Sequence, residues 1–309
     1  MIVSVGLSPA WQQILRFESL RIGEVNRAAE ARWCSSGKVF NVGISLSQLG
    51  VACRLVSPVG RNVHDHVEAE LRELGVESKL IVCDEPTRVC TTLIDSSSGT
   101  VTELVENARP LAASVLDRVA EEYAAEVVAA DAVVMTGSLP AGTPTSFYRD
   151  LLERTACKTV LDVRGPELLE ALPLNPFAVK PNREELGKTL GLPLDDDAAL
   201  VDAMRQLNTL GAQWAMITDG KRPVWASSAE GVFRLQPLVM DKVVNPIGCG
   251  DCLAAGLAWG LAEGRGPLDS LKLGIAAAAQ NVTQLLPGRI DRATVLELSR
   301  KVVVELAAS

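Results

Sequence analysis

Residues 244–262 read VNPIGCGDCLAAGLAWGLA, a loop with two glycines that runs into an apolar helix. Gly248 and Gly250 lack a Cβ, so the backbone N–H groups of this loop can converge on one point. The helix that follows adds its own free N–H groups and the positive end of its dipole. The stretch therefore predicts an anion-binding loop suited to a phosphate or to a phosphoryl group in transfer.

Asp251 stands at the start of that helix, beside the loop. A carboxylate there could accept the proton of an attacking hydroxyl, which is the role of the base in phosphoryl transfer. By spacing alone, an N-cap is the more frequent role of an Asp at a helix start. Two known phosphate motifs are excluded, because GCGDCL lacks the third glycine of a dinucleotide fingerprint and no Gly-Lys pair completes a P-loop.

Cys249 and Cys252 also form a C-x-x-C pair, and a helix N-terminus could lower the pKa of Cys249. A redox or metal role would call for a second such pair or for clustered histidines, and the chain has only His64 and His66. Small residues that fill a tight turn are the better interpretation. The sequence therefore predicts that both thiols are dispensable for the chemistry.

Strand and helix patterns alternate from about residue 110 onward. Apolar β-type runs at 132–136, 159–163 and 213–218 are separated by helical patterns, which predicts a parallel sheet covered on both faces. A hairpin is expected over 222–240, and helices near 251–262, 268–285 and 291–306. Segments 8–36 and 79–106 instead hold short β-rich runs, which predict strands off the main body. Ligand sites of such sheets lie at the carboxyl ends of the strands.

The composition excludes several classes of partner. The 309 residues include 30 Lys plus Arg and 38 Asp plus Glu, and the formal net charge of −8 makes nucleic acid and anionic membranes poor partners. A hydrophobic share of 48% and a charged share of 22% are typical of a globular chain. Seven cysteines, an odd number, and a start without a signal-peptide pattern predict free thiols and a cytoplasmic location.

Taken in order with VNPIGCGD, eight further segments resemble the ribokinase-like (PfkB) family of carbohydrate kinases. They are SVGLSPAWQ at 4–12, GEVNR at 23–27, SGKVFNV at 36–42, TR at 87–88, TE at 102–103, GSLP at 137–140, KPNREEL at 180–186 and TDG at 218–220. The resemblance covers nearly the whole chain. GEVNR and TR resemble the hexose-phosphate branch, with 1-phosphofructokinase and tagatose-6-phosphate kinase.

This resemblance implies a single kinase domain over residues 1–309. The implied fold is a ribokinase-like three-layer α/β/α sandwich with a mainly parallel central sheet. A small β-sheet lid would take its strands from about residues 8–36 and 86–107.

The resemblance also implies roles on the phosphoryl-transfer side. Asp251 would be the catalytic base, and the backbone of Gly248, Cys249 and Gly250 the anion hole. Glu185 would organise Mg²⁺ through water, and the nucleotide-side positions would be Lys180, Asn182, Thr218, Gly220 and Asn281. From the residues alone, Asn182 and Glu185 are equally a helix cap with its capping box, and Asn281 is equally a polar residue on a helix surface.

On the sugar side, the resemblance implies three cations for a phosphate and three contacts for hydroxyls. The cations are Arg27, Lys38 and Arg88, and the hydroxyl contacts are Gln12, Gly37 and Asn41. Arg offers a bidentate fork that matches a phosphate. One such cation alone is more often a solvated surface charge, but three in family register favour a phosphate site.

Four positions depart from the family pattern. Ser36 and Val39 replace two glycines of GGKGxN, Gln12 replaces an Asp, and Pro223 replaces a Gly. Gln can hydrogen-bond a diol but brings no charge. Asp251 is retained, which predicts a working kinase.

The expected activity is ATP- and Mg²⁺-dependent phosphorylation of a ketohexose phosphate, first of all fructose 1-phosphate to fructose 1,6-bisphosphate. Tagatose 6-phosphate comes second, and a ribokinase- or nucleoside-type kinase is the alternative within the fold. A non-catalytic sugar-phosphate sensor is the alternative of another class. The expected partners are a small sugar phosphate and, by analogy, a second copy bound through the lid, with neither nucleic acid nor membrane.

Overall fold

Short, fully buried apolar strands form the centre of a large sheet. All four residues of β1 (Ile2–Val5) are buried, and β1 pairs in parallel with β4 (Cys53–Gly60) and with β8 (Ala132–Thr136). Strands buried on both faces are what a parallel sheet requires, because helices cover both of its sides. The computed structural model describes residues 1–308.

Seven more strands complete this ten-stranded sheet. They are β5 (Glu77–Cys83), β9 (Lys158–Asp162), β10 (Ala178–Val179), β11 (Trp214–Ile217), β12 (Val224–Ser228), β13 (Gly231–Leu235) and β14 (Val304–Ala308). Their order is β14-β13-β12-β11-β10-β9-β8-β1-β4-β5. Pairing is parallel from β5 to β11 and antiparallel from β11 to β14, so the predicted mainly parallel sheet is confirmed.

Helices cover both faces of the large sheet, and each face has its own apolar core. One face carries α3 (Ala113–Val127), α4 (Phe147–Leu152), α5 (Pro166–Ala171) with a 3₁₀ turn at Leu172–Leu174, α6 (Arg183–Leu190) and α7 (Asp197–Leu210). The other carries α1 (Lys38–Gln48), α2 (His64–Glu73), α8 (Cys249–Ala262), α9 (Pro267–Asn281) and α10 (Arg292–Ser299). These are the predicted three layers.

A second, four-stranded sheet forms the lid. Its strands are β2 (Ala10–Phe17), β3 (Glu30–Ser36), β6 (Arg88–Asp95) and β7 (Thr100–Val105), in the order β3-β2-β6-β7. A small core of Ile14, Cys34 and Ile94 packs against Leu285 and Leu286 of the main body. The lid strands thus come from the two segments in which the sequence predicts them, and a single domain over 1–309 stays a prediction.

Two sequence expectations about elements are wrong. The β-run near 79–83 belongs to β5 at the edge of the large sheet, because α2 carries the chain back to a parallel pairing with β4. The helix expected over 291–306 ends at Ser299, and β14 follows it. The β-branched run Val302, Val303 and Val304 favours a strand, and Val304 pairs with Leu235 of β13.

Glycines bring α8 and α9 into backbone contact. A Cβ on Gly256 would lie 2.8 Å from the backbone of Gly274, and a Cβ on Gly274 would lie 2.5 Å from the Leu253 carbonyl oxygen. No side-chain layer separates the two helices at this point. The position of α8, which begins at the anion loop, is therefore fixed by α9. None of the helices within residues 1–308 combines the length and the hydropathy needed to cross a bilayer.

Candidate active site

Asp251 lies in the first turn of α8 and is 7% exposed. Asn41 on α1 donates from Nδ2 to Asp251 Oδ2 at 2.7 Å, and Ser36 in turn donates to Asn41 Oδ1 at 3.1 Å. Burial above all, then the negative charge of Asp162, raises the pKa of Asp251 against the opposing pull of Lys38 and Asn41. A carboxylate held in this way is a stronger base than one on the surface.

The helix cap is Gly248 and not Asp251, so the N-cap interpretation of the aspartate is wrong. Gly248 has φ +83°, a left-handed conformation that glycine adopts without strain. The Cys249 N–H donates to the Pro246 carbonyl oxygen at 3.3 Å, whereas within residues 1–308 the N–H groups of Gly248 and Gly250 have no acceptor. Two of the three predicted donors are therefore open to an anion.

Two ammonium groups and a buried carboxylate stand next to this loop. Lys180 follows β10, and a Cβ on Gly250 would lie 3.6 Å from its Nζ. Asp162, the last residue of β9, is 1% exposed, and its Oδ1 lies 3.1 Å from the Nζ atoms of both Lys38 and Lys180. Lys38 therefore lies beside Lys180, next to the anion loop.

The charges of this cluster determine its protonation. Burial alone would raise the pKa of Asp162, but Lys180 and Lys38 outweigh it and hold that pKa below its usual value. Burial would likewise lower the pKa of Lys38, but Asp162, Glu185 and Asp251 outweigh it and raise that pKa. At neutral pH Lys38 is therefore a cation and Asp162 is an anion.

Asn182 and Glu185 do form the capping box that the residues alone allow. Asn182 Oδ1 accepts the Glu185 N–H at 2.8 Å, and Glu185 Oε2 accepts the Asn182 N–H at 3.0 Å. The other oxygen, Glu185 Oε1, lies 3.7 Å from Lys38 Nζ and 3.7 Å from Arg164 Nη1. The capping box therefore fixes the Glu185 side chain through Oε2 and leaves Oε1 near Lys38 and Arg164.

Thr218 and Gly220, the residues predicted on the nucleotide side, follow β11 at the same edge of the sheet. Thr218 forms a parallel bridge with Asn182, and its carbonyl oxygen accepts the Arg183 N–H at 2.9 Å. Gly220 has open space around its Cα. The carboxyl ends of β9, β10 and β11 thus meet at one place, as expected for a parallel sheet.

Asn281 is 1% exposed, so it is not a residue of a helix surface. Its Nδ2 donates to the Ile247 carbonyl oxygen at 2.9 Å and to Cys249 Sγ at 3.3 Å, and its Oδ1 accepts the Gly288 N–H at 2.8 Å. The amide is thus committed to the two loops beside Asp251. A direct contact of Asn281 with the nucleotide stays a prediction.

Gln12 lies on the face of the lid that includes the small apolar core, and it is 1% exposed. Its Nε2 donates to Thr92 Oγ1 at 2.7 Å across the β2–β6 pair. Gly37 precedes Lys38 as the cap of α1. The lid thus contributes an uncharged group where the family pattern has an Asp.

Arg88 lies at the base of the lid, where the chain enters β6. Its guanidinium donates to the carbonyl oxygens of Ser8 at 3.1 Å, Pro9 at 3.3 Å and Glu106 at 3.2 Å. The Arg88 guanidinium is therefore hydrogen-bonded to backbone carbonyl oxygens in this conformation. A role in binding the sugar phosphate stays a prediction.

Arg27 does not join the other predicted residues. It is exposed in the loop between β2 and β3, beyond the Arg16–Glu30 pair at the far end of the lid. Gln12 lies four positions from Arg16 along β2, which is about 13 Å. Of the other two predicted cations, Lys38 lies at Asp162 and Arg88 at the base of the lid.

The cysteine alternative is not supported. Burial raises the pKa of Cys249 to about 11, so the possible lowering by the helix N-terminus is wrong. All seven cysteines are free, and residues 1–308 contain no cluster of three or more His, Cys, Asp or Glu that could hold a metal ion.

Sequence reasoning missed Asp162. One signal was available, because Asp162 is the charged residue at the carboxyl end of the apolar run TVLDV. Buried carboxylates are rare without partners, and ligand sites lie at strand ends. Its two lysine partners come from other elements and could not be identified from that run.

Known proteins are similar to this chain over nearly its whole length. The family model described as pfkB family carbohydrate kinase matches residues 1–290. A 1-phosphofructokinase of Haemophilus influenzae is 28% identical over 309 residues, covering 99% of this chain and 98% of the relative.

Solved structures agree in fold. Phosphofructokinase-2 from Escherichia coli in complex with fructose-6-phosphate has a TM-score of 0.87 and 19% identity, covering 97% of this chain and 98% of that one. Ribokinase of Arabidopsis thaliana complexed with ribose and ATP has a TM-score of 0.75 and 21% identity, with the same coverage. The predicted resemblance is confirmed, and since the family model spans residues 1–290, the chain belongs to the pfkB family of carbohydrate kinases.

Proposed function

We propose that the chain transfers the γ-phosphoryl group of ATP to a ketohexose phosphate, first of all to fructose 1-phosphate. As a carbohydrate kinase it is a phosphotransferase with an alcohol acceptor, and sugar kinases of this family use ATP. The observation that carries the proposal is Asp251, a buried carboxylate with a raised pKa beside two open N–H groups and Lys180. The name of the Haemophilus influenzae relative supports fructose 1-phosphate as the acceptor.

Asp251 is the base of the proposed reaction. Asn41 occupies Oδ2, so Oδ1 takes the proton of the attacking hydroxyl. The raised pKa brings the carboxylate closer to the hydroxyl in proton affinity, which favours transfer of that proton. The Asn41 bond holds the carboxylate through Oδ2 and leaves Oδ1 for the hydroxyl.

The anion loop and Lys180 stabilise the charge that develops on the transferred phosphoryl group. The N–H groups of Gly248 and Gly250 and the Lys180 ammonium are fixed before the substrate arrives, so little reorganisation is needed. Lys38 adds a second cation, and Asp162 holds both. Catalysis is then mainly positioning and electrostatics.

The residues present also fit Mg²⁺. Carboxylate oxygens are the ligands that Mg²⁺ prefers, usually with several waters retained. Asp162 Oδ1 is already bound by two ammonium groups, whereas Glu185 Oε1 has only cations 3.7 Å away. We therefore assign Glu185 Oε1 to Mg²⁺ through water. When bound, Mg²⁺ supplies positive charge to the phosphate oxygens.

We assign the binding of the acceptor's phosphate to Arg88. Arg88 pairs with Ala10 between β2 and β6, and Gln12 pairs with Cys90 two residues further along. Arg88 and Gln12, the proposed hydroxyl contact, therefore lie in the same part of the lid. Its present acceptors are neutral carbonyls, and a phosphate is a stronger acceptor for a guanidinium. Arg27 stays a proposed phosphate contact without support from its position in one chain.

The test is ADP release with Mg²⁺ and ATP over a panel of acceptors. We expect kcat/KM to be highest for fructose 1-phosphate, followed by tagatose 6-phosphate, and low for ribose and adenosine, because a cationic site left unpaired disfavours them. The Asp251→Asn variant is the control for contaminating kinases. Preference for a free sugar or nucleoside would overturn the sugar-phosphate assignment. Binding of sugar phosphate without turnover would favour the sensor instead.

We further propose a homodimer through the lid, in the cytoplasm. Trp33 is 47% exposed and Leu104 is 54% exposed, and the strand register puts both on the same face of the lid, which a second copy would cover. Seven free cysteines suit a reducing compartment. Sedimentation of the full chain should give twice the monomer mass, and a monomer at micromolar concentration would contradict this proposal.

A further inference from the structure

Glu70 on α2 joins two segments that are far apart in the chain. Its Oε2 accepts the Ser35 N–H at 2.5 Å, and its Oε1 accepts from Arg289 Nη2 at 2.6 Å. The side chains of Glu70 and Arg289 are each 19% exposed, so this ion pair is largely shielded from water. The proposed reaction has no step that uses this carboxylate.

The first segment, at the end of lid strand β3, leads to the catalytic base. Ser35 precedes Ser36, whose hydroxyl donates to Asn41 Oδ1, and Asn41 donates to Asp251. A shift of the end of β3 would therefore move the residue that orients the base. Glu70 fixes this point through the backbone of Ser35.

The second segment leads to the anion loop. Arg289 follows Gly288, whose N–H donates to Asn281 Oδ1. Asn281 in turn donates to the Ile247 carbonyl oxygen, one residue before Gly248. Both hydrogen-bonded routes from Glu70 thus end at the start of α8.

Glu70 is the one acidic partner of Arg289 within residues 1–308. Arg289 Nη1 and Ser35 Oγ are buried and have no hydrogen-bond partner in that part of the chain. Without Glu70, a shielded guanidinium would be left with no counter-charge, and the Ser35 N–H with no acceptor. An uncompensated charge of this kind forces the local structure to rearrange.

We propose that Glu70 is a positioning residue, which ties the base of lid strand β3 to the loop at residues 286–290 and so holds Asn41 and the anion loop in register with Asp251. The carboxylate acts through its two partners and touches no reacting atom. Neither the family resemblance nor the site residues predicted from the sequence include it.

Hydrogen–deuterium exchange of the full-length protein tests the Glu70–Ser35 and Glu70–Arg289 contacts without any substrate. Glu70→Gln should speed exchange roughly 10–150-fold in both segment 33–41 and segment 284–291, the loss expected for a charge-assisted hydrogen bond. Arg289→Gln should loosen segment 284–291 alone, because Glu70 can still hold Ser35. Glu73→Gln, an exposed change on the same helix, should alter neither segment.

Kinetics then separate positioning from general stability. This part rests on the proposed kinase function, whereas the exchange measurements do not. Glu70→Gln should lower kcat about tenfold or more and leave the KM for ATP within about twofold, because the base is displaced but the nucleotide edge is not. Unchanged exchange in either segment, unchanged kcat, or loosening of all of α2 in Glu70→Gln would overturn the proposal. Glu70→Asp keeps the charge, is too short to span both partners, and should give the same pattern in a fold that retains α2.

Discussion

Asp162→Asn removes one buried charge and keeps the shape of the side chain. Asp162 Oδ1 lies 3.1 Å from the ammonium groups of Lys38 and Lys180. Lys180 is 4% exposed, so this pair belongs to the buried ion pairs whose breaking costs about 3–5 kcal/mol. Lys38 is 35% exposed and screened by water, so its pair adds about 1 kcal/mol or less. The new amide oxygen still accepts one hydrogen bond, and we expect a net loss of about 3 kcal/mol in the free energy of unfolding.

The same change should shift the pH dependence of turnover. The negative charge of Asp162 helps to raise the pKa of Asp251, so its removal lowers that pKa. Because the base works only when deprotonated, the acid limb of the kcat profile should move to lower pH. On the plateau, kcat should fall roughly 10–100-fold, since both lysines lose the anion that positions them.

Urea unfolding and kcat across the acid range measure both effects. Asp269→Asn is the matched control, because Asp269 is 66% exposed and within residues 1–308 its one ion-pair partner is Lys272 on its own helix. It should change stability by less than about 0.5 kcal/mol. The stabilising effect of Asp162 is present above the ordinary pKa of a carboxyl and is lost as pH falls through its lowered pKa. A loss below about 1 kcal/mol, or an acid limb that moves to higher pH, would refute the reasoning.

Four further variants test the site. Asp251→Asn should lower kcat by several orders of magnitude and leave the Kd for ATP nearly unchanged, because an amide cannot take the proton; a loss of less than about tenfold would contradict the base assignment. Cys249→Ser and Cys252→Ser should keep kinase activity, since burial keeps the thiols protonated, and a folded variant without turnover would show a thiol role. Arg88→Ala should raise the KM for the sugar phosphate roughly 10–150-fold and that for ATP little, so equal changes in both KM values would argue against a phosphate contact.

The motif segments predict most of the site because each contains its functional residues within a few consecutive positions. VNPIGCGD specifies the glycine loop and Asp251 together, and the N-x-x-E spacing specifies both the capping box and the position of Glu185. The alternation of strands and helices likewise predicts the parallel sheet and its functional edge. These features depend on local spacing, which the sequence displays directly.

Features that depend on long-range pairing were not predictable. Asp162 gains its partners because β9 and β10 are neighbours and α1 begins beside them, a meeting of residues 38, 162 and 180. That meeting also places Lys38 beside Lys180. β14 was mistaken for helix because its strand character depends on pairing with β13, about 70 residues earlier.

The glycine contact between α8 and α9 has a consequence for motion. Helices that touch backbone to backbone have no intervening side chains that could change rotamer and let one helix slide over the other. The helix that carries Asp251 is therefore held closely against α9. Any closure around the sugar has to come from the four lid strands, whose apolar cluster of Ile14, Cys34 and Ile94 is small. Lid opening on the microsecond-to-millisecond timescale, and with it product release, then becomes the step that can limit the rate.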